Sequence, residues 1–186
     1  PSGLLAVGGG LSEKRLLAAY RRGIFPWYEA PQPVLWWTPD PRSVLFPDEL
    51  HVSRSLRKTL RANKLLLAVD THFERVMVEC AKLRGDGLGT WIDEDMVAAY
   101  VGLYRRGFAH SVEILDVAGS LVGGLYGVCL GRAFFGESMF SEEFNASKVA
   151  LVALVDIARR GGLQLIDCTG GSSTREPLGA PKITRQ

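Results

Sequence analysis

The pattern of apolar positions, together with residue types that start and stop helices, predicts five helices along the chain. The first, residues 12–23, is capped by Ser12 and closed by Gly23, and the side chains of Leu16, Leu17 and Tyr20 fall on one face. Each of the other four begins at a Ser, Thr, Asp or Asn, whose side-chain oxygen can accept a backbone N–H. These helices cover residues 53–63, 72–84, 94–106 and 146–160, and begin at Ser53, Thr71, Asp93 and Asn145.

Shorter apolar runs bounded by turn residues predict strands. One, "LLLAVD" (65–70), lies between two helices, and three more follow the fourth helix: "HSVEILDV" (110–117), "LVGGLYGVCLG" (121–131) and "RAFFGESMF" (132–140). A last strand, "LQLIDC" (163–168), follows the fifth helix. An antiparallel meander, a helix and then a strand predict a mixed sheet with a parallel crossover.

This order predicts an α+β protein and is the core order of acetyltransferase-like (GNAT) folds. Ahead of it, residues 26–42 hold five of the nine prolines and three of the four tryptophans. Proline at this density disfavours regular structure, so an irregular arm or domain junction is predicted there. The predicted division is a small N-terminal domain with this junction, residues 1–42, and a GNAT-like domain, residues 43–186.

The composition is that of an ordinary globular protein, with 47% apolar residues among 186 and a net charge of +2. The longest apolar runs are too short to cross a bilayer, and the start lacks a signal-peptide pattern. Three cysteines without CxxC spacing argue against a disulfide framework or a zinc site and favour a reducing cytoplasm. Three scattered histidines suggest neither a metal site nor a catalytic triad.

The segment "SEEFNASK" (141–148), just before the fifth helix, bears on the cofactor. Acetyl-CoA-dependent enzymes of this fold need a glycine-containing turn here, whose N–H groups bind the pyrophosphate. This chain has Glu142 and Glu143 instead, and no glycine. Because acids repel a pyrophosphate, coenzyme A is not expected to bind.

Four cations, Arg54, Arg57, Lys58 and Arg61, share one face of the second predicted helix. This stripe favours an anionic partner such as an RNA backbone, although a solvated helix face would give the same pattern. Trp91, in the loop "LGTWID", is the best tryptophan candidate for stacking on a nucleobase. Core packing accounts better for the adjacent "WW" pair.

Glu137 stands in the aromatic run "FFGESMF" (134–140), where a buried and unpaired carboxylate would be costly. Asp167 ends the last predicted strand, so the two acids are predicted to meet at one end of the sheet. Two acids in a cleft of low dielectric can act as a base and an orienting group. A helix-capping Glu137 and an ordinary strand-end Asp167 would account for the same residues.

Several longer stretches, spread in order over nearly the whole chain, are specific enough to exclude chance similarity. They include "GLLAVGGGLS" (3–12), "AYRRGIFPWY" (19–28), "WWTPDPRSVL" (36–45), "GTWIDEDMVAAY" (89–100), "LVGGLYGV" (121–128), "FFGESMFS" (134–141), "NASKVAL" (145–151) and "LIDC" (165–168). On these residues the chain resembles the leucyl/phenylalanyl-tRNA–protein transferases. The resemblance implies a small N-terminal domain and a GNAT-like C-terminal domain.

The resemblance further implies an aminoacyltransferase of the N-degron pathway that forms peptide bonds outside the ribosome. The implied donor is an aminoacyl-tRNA carrying leucine, phenylalanine or methionine, and the implied acceptor is a protein beginning with arginine or lysine. The product then carries an N-terminal degradation signal. Since the ester to the ribose already activates the amino acid, no cofactor is implied. What remains is positioning, proton removal from the amine and stabilisation of the tetrahedral intermediate.

Individual residues are assigned by the same resemblance. Trp27 and Trp91 match residues that hold the terminal adenosine, and Glu137 and Asp167 match the central acids. The substrate-binding positions in and beside an apolar donor pocket are Leu125, Phe134, Met139, Ser141, Leu151, Leu154 and Ile166. The basic cluster that contacts the tRNA body is matched by Arg54, Lys58 and Arg61.

Thr169 departs from the family, which usually carries a glutamine of the reaction centre at this position. A threonine hydroxyl reaches less far than a glutamine amide. Thr169 stays a catalytic candidate, but the departure raises two alternatives: a non-catalytic aminoacyl-tRNA-binding protein, and an acyltransferase with another donor. Retention of both acids favours the active transferase. Glu142 and Glu143 are the candidates for recognising a cationic acceptor.

Overall fold

The structure, a computed structural model, describes residues 3–82, 92–169 and 182–184. Over these residues the chain forms five α-helices and two sheets. The helices are α1 (Glu13–Tyr20), α2 (Arg54–Ala62), α3 (Phe73–Lys82), α4 (Glu94–Arg105) and α5 (Ala146–Gly161). The strands are β1 (Leu4–Val7), β2 (Phe25–Pro26), β3 (Leu35–Trp37), β4 (Arg42–Leu45), β5 (Leu66–Val69), β6 (Ala109–Leu115), β7 (Leu121–Leu130), β8 (Ala133–Ser141), β9 (Leu165–Cys168) and β10 (Lys182–Ile183).

The larger sheet has seven strands in the order β10-β4-β9-β8-β7-β6-β5. Strands β5 to β8 form an antiparallel meander, and β9 pairs in parallel with β8 after the crossover through α5. The predicted α+β class with a mixed sheet is therefore confirmed. Strand β9 lies inside the sheet, because β4 pairs with its other edge.

A three-stranded sheet, β1-β3-β2, precedes the larger one, so the prediction of an irregular arm over residues 26–42 was wrong in part. Pro26 pairs with Trp36, and the larger sheet already begins at Arg42. The tryptophans stabilise this layer through their indole N–H groups: Trp36 donates to the carbonyl of Gly8 at 2.9 Å. Proline density did not exclude strands because Pro26 ends one and the other four prolines lie between them.

Two apolar clusters pack on the larger sheet. The first joins the N-terminal helix to the rest of the chain, since Leu16 and Tyr20 pack with Tyr100, Tyr126 and Phe135. The second lies under α5 and contains the apolar residues of that helix together with those of β6, β7 and β9. The division of the chain at residue 42 stays a prediction.

Three of the predicted helix starts are confirmed. Ser12, Ser53 and Asp93 each accept a backbone N–H three residues later, at 3.4, 3.2 and 2.8 Å. These contacts involve only neighbours in sequence, which is why residue type alone predicts them.

The start of α5 differs from the prediction. Asn145 adopts a left-handed conformation with φ of 67° and donates to the Thr59 hydroxyl at 3.0 Å instead of capping the helix. The N–H of Ser147 donates to the hydroxyl of Ser141 at 3.0 Å, so Ser141 at the end of β8 satisfies the helix start. That hydroxyl also donates to the carbonyl of Glu143 at 2.7 Å.

No helix in the described ranges is long and apolar enough to cross a membrane. Cys80, Cys129 and Cys168 are free thiols.

Candidate active site

Glu137 is the extra residue of a β-bulge between β7 and β8. Tyr126 pairs with Ser138 and the next pair is Gly127 with Gly136, so the register skips Glu137. A bulge releases one side chain from the strict alternation of a strand and is frequent beside active sites. The glycine-flanked acid of the aromatic run is therefore placed by a local irregularity of the sheet.

Gly127, across the bulge, lies where β8 approaches β7 most closely. A Cβ at this position would be 2.2 Å from the carbonyl oxygen of Phe135 and 2.6 Å from Cε1 of Phe134. Only glycine lets the two backbones come this close. Any side chain here would push β8 outward and move Glu137 with it.

The carboxylate of Glu137 is 5% exposed and has partners from distant parts of the chain. The hydroxyl of Tyr20, on α1, donates to Oε1 of Glu137 at 2.6 Å. The hydroxyl of Tyr100, on α4, makes a short contact with that of Tyr20. The sequence did not indicate these tyrosines, because their contacts join elements far apart in the chain.

The buried tyrosine hydroxyls near Glu137 have a raised pKa. Burial raises the pKa of Tyr20 well above its usual value, and the negative charge of Glu137 raises it further. Burial is also the main cause that raises the pKa of Tyr100 and that of Tyr126. At neutral pH these hydroxyls are therefore neutral, and Tyr20 is available as a donor to Glu137.

Asp167 lies on the neighbouring strand β9 and is also buried. Its register partner on β8 is Phe135, so it stands two positions before the level of Glu137, on the same face of the sheet. Nε of Arg42 donates to Oδ1 of Asp167 at 2.9 Å. Arg42 begins β4 and was missed by the sequence analysis, since it fell inside the predicted irregular arm.

Thr169 follows β9 and is buried at the level of Glu137. Its hydroxyl donates to the carbonyl oxygen of Gly136 at 2.6 Å. The side chain thus joins the end of β9 to the residue that precedes Glu137 on β8.

A narrow cavity of about 10 Å³ lies between β7, β8, β9 and α5. It contains five of the predicted donor-pocket residues and Asp167, and its full lining is Leu125, Gly136, Ser138, Met139, Leu151, Leu154, Ile166, Asp167 and Cys168. The volume is about the least that holds one water molecule, so a leucine side chain enters only if the lining moves. Met139, unbranched and only partly buried, is the most adaptable of these side chains.

The remaining predicted residues of this group lie beside the cavity. Phe134 is buried in the same apolar cluster, against Gly127, and Ser141 caps α5. Glu137 does not line the cavity, although its two neighbours in sequence do. Of the two acids, Asp167 is therefore the one among the residues that line the cavity. Both acids lie on the face of the sheet that carries the tyrosines.

The basic residues of α2 are exposed and surround a surface depression of about 390 Å³ lined by Arg54, Arg57, Lys58 and Arg61. Leu56 is the buried anchor of this helix, whereas Leu60, which a solvated-face interpretation places inward, is partly exposed. The hydrogen bond from Asn145 to Thr59 fixes α2 to the start of α5.

Trp27 is 38% exposed and packs edge-on against Trp37, with ring centres 5.8 Å apart. Its ring is thus held in place with part of its surface open to a ligand. Trp91 lies outside the described residues. Glu142 and Glu143 are exposed between β8 and α5.

A third buried acid, Glu113, lies on β6, away from this site, and the sequence analysis missed it. It is fully buried, and its Oε1 accepts from the Ser111 hydroxyl and, at 3.2 Å, from the N–H of His72 at the start of α3. Glu113 thereby satisfies the helix start that Thr71 was predicted to cap. The Thr71 hydroxyl instead donates to the carbonyl of Val69 at 3.2 Å. Within the described ranges no group of three His, Cys, Asp or Glu could hold a metal ion.

Two family models match most of the chain. Residues 44–186 match the family model described as leucyl/phenylalanyl-tRNA protein transferase, and residues 9–40 match that of the N-terminal domain of the same enzymes. The chain is 55% identical to the leucyl/phenylalanyl-tRNA–protein transferase of Pseudomonas entomophila, over 100% of the chain and 81% of the relative. It is also 55% identical to that of Nitrosospira multiformis, over 100% of the chain and 80% of the relative.

Two solved structures resemble the chain at low sequence identity. L-PGS from Bacillus licheniformis has a TM-score of 0.46 at 9% identity, over 87% of this chain and 53% of that one. A tandem GNAT protein from the clavulanic acid biosynthesis pathway has a TM-score of 0.39 at 11% identity, over 94% of this chain and 55% of that one.

Proposed function

The chain belongs to the leucyl/phenylalanyl-tRNA protein transferase family, and we propose how its residues carry out the transfer. It is an aminoacyltransferase: an aminoacyl-tRNA donates its amino acid to the N-terminus of a protein. The observation that carries the proposed mechanism is that Asp167 lies on the wall of an apolar cavity, one strand from a second buried acid.

The apolar cavity is proposed to bind the donor side chain. Leu125, Leu151 and Ile166 offer no hydrogen-bonding group, so a charged or polar side chain would lose its hydration without compensation. Leucine, phenylalanine and methionine are long and unbranched at Cβ, and they can enter once Met139 moves. A donor branched at Cβ is expected to be rejected by shape.

Asp167 is proposed to contact the attacking amine. The amine nitrogen attacks the ester carbonyl carbon, the new C–N bond forms, and the bond from that carbon to the ribose oxygen breaks. Asp167 receives the proton that leaves the nitrogen and returns it to the departing ribose oxygen. The amine enters the reaction in its neutral form, Glu137 stabilises the positive charge that develops on its nitrogen during attack, and Tyr20 holds the Glu137 carboxylate in place.

The basic face of α2 is proposed to bind the phosphate backbone of the tRNA. Arg54, Lys58 and Arg61 are exposed beside one another, so binding should weaken steeply as the salt concentration rises. The terminal adenosine is proposed to stack on Trp27, and Trp91 is proposed as its second contact. Glu142 and Glu143 are proposed to favour acceptors that begin with arginine or lysine.

The test is transfer of labelled leucine from Leu-tRNA to a peptide beginning with arginine, without ATP, by the chain and by Thr169→Gln. The expected result is transfer by the unmodified chain, with less transfer to the same peptide beginning with alanine. Recovery only in Thr169→Gln would mean that the threonine disables the reaction centre. Binding of Leu-tRNA without transfer by either protein would favour the alternative, a binding protein, and would contradict the proposal.

A further inference from the structure

Arg42 joins the N-terminal segment of the chain to the reaction centre. Its side chain is 11% exposed, and its guanidinium makes three contacts with groups from different elements. Nε donates to Oδ1 of Asp167 at 2.9 Å, and Nη1 donates to the carbonyl oxygen of Gly23, also at 2.9 Å. The guanidinium carbon lies 4.9 Å from the centre of the Phe25 ring.

These contacts fix the guanidinium in both position and plane. The carbonyl of Gly23 and the ring of Phe25 hold it from the side of α1 and β2, so Nε can point in only one direction. The contacts with Gly23 and Phe25 already hold the Arg42 side chain in the orientation that it needs. The side chain therefore loses little conformational entropy when it pairs with Asp167. The orientation of the Asp167 carboxylate is therefore set from the N-terminal segment.

The same segment also holds the second acid. Gly23 lies just after α1, and α1 carries Tyr20, whose hydroxyl donates to Glu137. One short stretch of chain thus reaches both carboxylates, Glu137 through a tyrosine and Asp167 through Arg42. Any displacement of α1 changes the two contacts together.

Nη2 of Arg42 is buried and has no hydrogen-bond acceptor among the described residues. In a guanidinium group the Nε–H and one N–H of Nη2 point to the same side, so Nη2 lies alongside the bond to Asp167. In the low-dielectric interior this charge acts more strongly on the carboxylate beside it than it would in water. Arg42 therefore both orients Asp167 and stabilises its negative charge.

We propose that Arg42 is a positioning residue for aminoacyl transfer, acting through Asp167 and not through direct contact with substrate. This inference rests on the proposed function, in which Asp167 contacts the attacking amine. A buried pair of opposite charges is by itself weak evidence for a contribution to stability. What distinguishes this pair from a purely structural one is that Asp167 lies one strand from Glu137, a second buried acid.

The experiment compares Arg42→Gln and Arg42→Lys with Asp167→Asn and with Phe25→Leu in the transfer of leucine from Leu-tRNA to an arginine peptide. Arg42→Gln is expected to lower kcat about 100-fold, with KM for Leu-tRNA changed less than about threefold. Arg42→Lys keeps the positive charge but loses the planar guanidinium with its several N–H donors. This variant is expected to lower kcat about tenfold. Phe25→Leu removes the ring beside the guanidinium and is expected to lower kcat about threefold, less than either arginine variant, because the Gly23 carbonyl still holds Nη1.

The pH profile separates positioning from a merely structural role. Without the guanidinium the Asp167 carboxylate is less stabilised, so the acidic limb of kcat is expected to move to higher pH in Arg42→Lys and Arg42→Gln. Each variant is first checked for folding by urea denaturation, and Arg42→Lys carries the test if Arg42→Gln does not fold. Folded arginine variants with wild-type kcat, or with reduced kcat and an unmoved acidic limb, would overturn the inference.

Asp167→Asn separates this inference from the proposed function. If Asp167→Asn loses transfer while the arginine variants keep it, only the role of Arg42 is wrong. If Asp167→Asn transfers normally, the proposed role of Asp167 is wrong, and so is any role of Arg42 that acts through it.

Discussion

Glu113 and Glu137 are both buried glutamates on strands of the same sheet, yet their surroundings differ in kind. Glu113, on β6, accepts from a serine two residues away and from the backbone N–H that opens α3. Glu137, at the bulge of β8, accepts from a tyrosine on α1, 117 residues away in sequence. One acid completes a helix start, whereas the other is held by side chains that converge on it from elsewhere in the fold.

Burial alone therefore does not identify a functional acid. A carboxylate that satisfies the N–H groups of a helix start has a structural reason to be inside. In the part of the chain that the structure describes, Glu137 caps no helix start. It stands at a break in the strand register, one strand from Asp167 and next to residues that line a cavity. The difference between Glu113 and Glu137 can be tested by making matched substitutions in their two surroundings.

The largest contrast is expected between Glu137→Gln and Glu113→Gln. Glu137→Gln should lower kcat for leucyl transfer about 100-fold or more, because the charge near the amine is lost while the shape is kept. Glu113→Gln should keep kcat within about threefold and lower the free energy of unfolding by about 1–3 kcal/mol, because a buried acceptor is replaced. The measurements are single-turnover transfer and urea denaturation of both proteins.

Equal loss of transfer in the two variants, at equal stability, would erase the distinction between the two acids. Normal turnover of Glu137→Gln would remove Glu137 from the mechanism, whatever happened at Glu113.

A smaller contrast is expected between Tyr20→Phe and Tyr104→Phe. The Tyr20 hydroxyl donates to Glu137, so its loss removes one of the contacts that orient the carboxylate and should reduce transfer about tenfold. The Tyr104 hydroxyl donates at 2.6 Å to the carbonyl of Asp70, whose carboxylate accepts the Ser111 N–H beside Glu113. Tyr104→Phe should lower stability by about 1 kcal/mol and leave kcat unchanged.

Measuring kcat and the urea midpoint of both tyrosine variants tests this contrast. If Tyr104→Phe lost as much kcat as Tyr20→Phe, general loosening of the fold would explain both, and the specific role of Tyr20 would be abandoned.

The smallest expected effect is a pH dependence of the free energy of unfolding, caused by the buried tyrosines near Glu137. Tyr20, Tyr100 and Tyr126 all have a pKa raised above the usual value of 10. Below pH 10 they are protonated in both states and contribute no slope. Above it the unfolded chain loses protons that the folded protein keeps, so stability should fall, by at most about 1.4 kcal/mol per pH unit for each group.

Urea denaturation from pH 8 to pH 11 measures this slope. In Tyr126→Phe it should be shallower, while kcat at neutral pH is retained. That hydroxyl has no hydrogen-bond partner in the described residues, so its removal costs no bond. An identical slope in wild type and Tyr126→Phe would show that this tyrosine titrates normally.

What the sequence predicted correctly depends mostly on near neighbours. The caps at Ser12, Ser53 and Asp93 are contacts over three residues, and the meander follows from closely spaced apolar runs. Glu137 and Asp167 were found as residues, because an acid in an apolar run is unusual.

The missed features depend on contacts between distant elements. Nothing near Arg42 in sequence indicates its pairing with Asp167, 125 residues away, and nothing near Tyr20 indicates Glu137. Glu113 escaped notice because its role follows only from the position of α3 on the sheet. The strands within residues 26–42 were missed for the same reason, since strand pairing is decided by the partner strand.

The place of β9 between β4 and β8 has a consequence for the protein as it is synthesised. On the ribosome β4 emerges before α2, whereas both of its neighbours in the sheet, β9 and β10, emerge only after α5. Until then Arg42 has no Asp167 to pair with, and the edge of β8 stays open to other chains. A nascent chain thus acquires its reaction centre only after α5 and β9 have been synthesised.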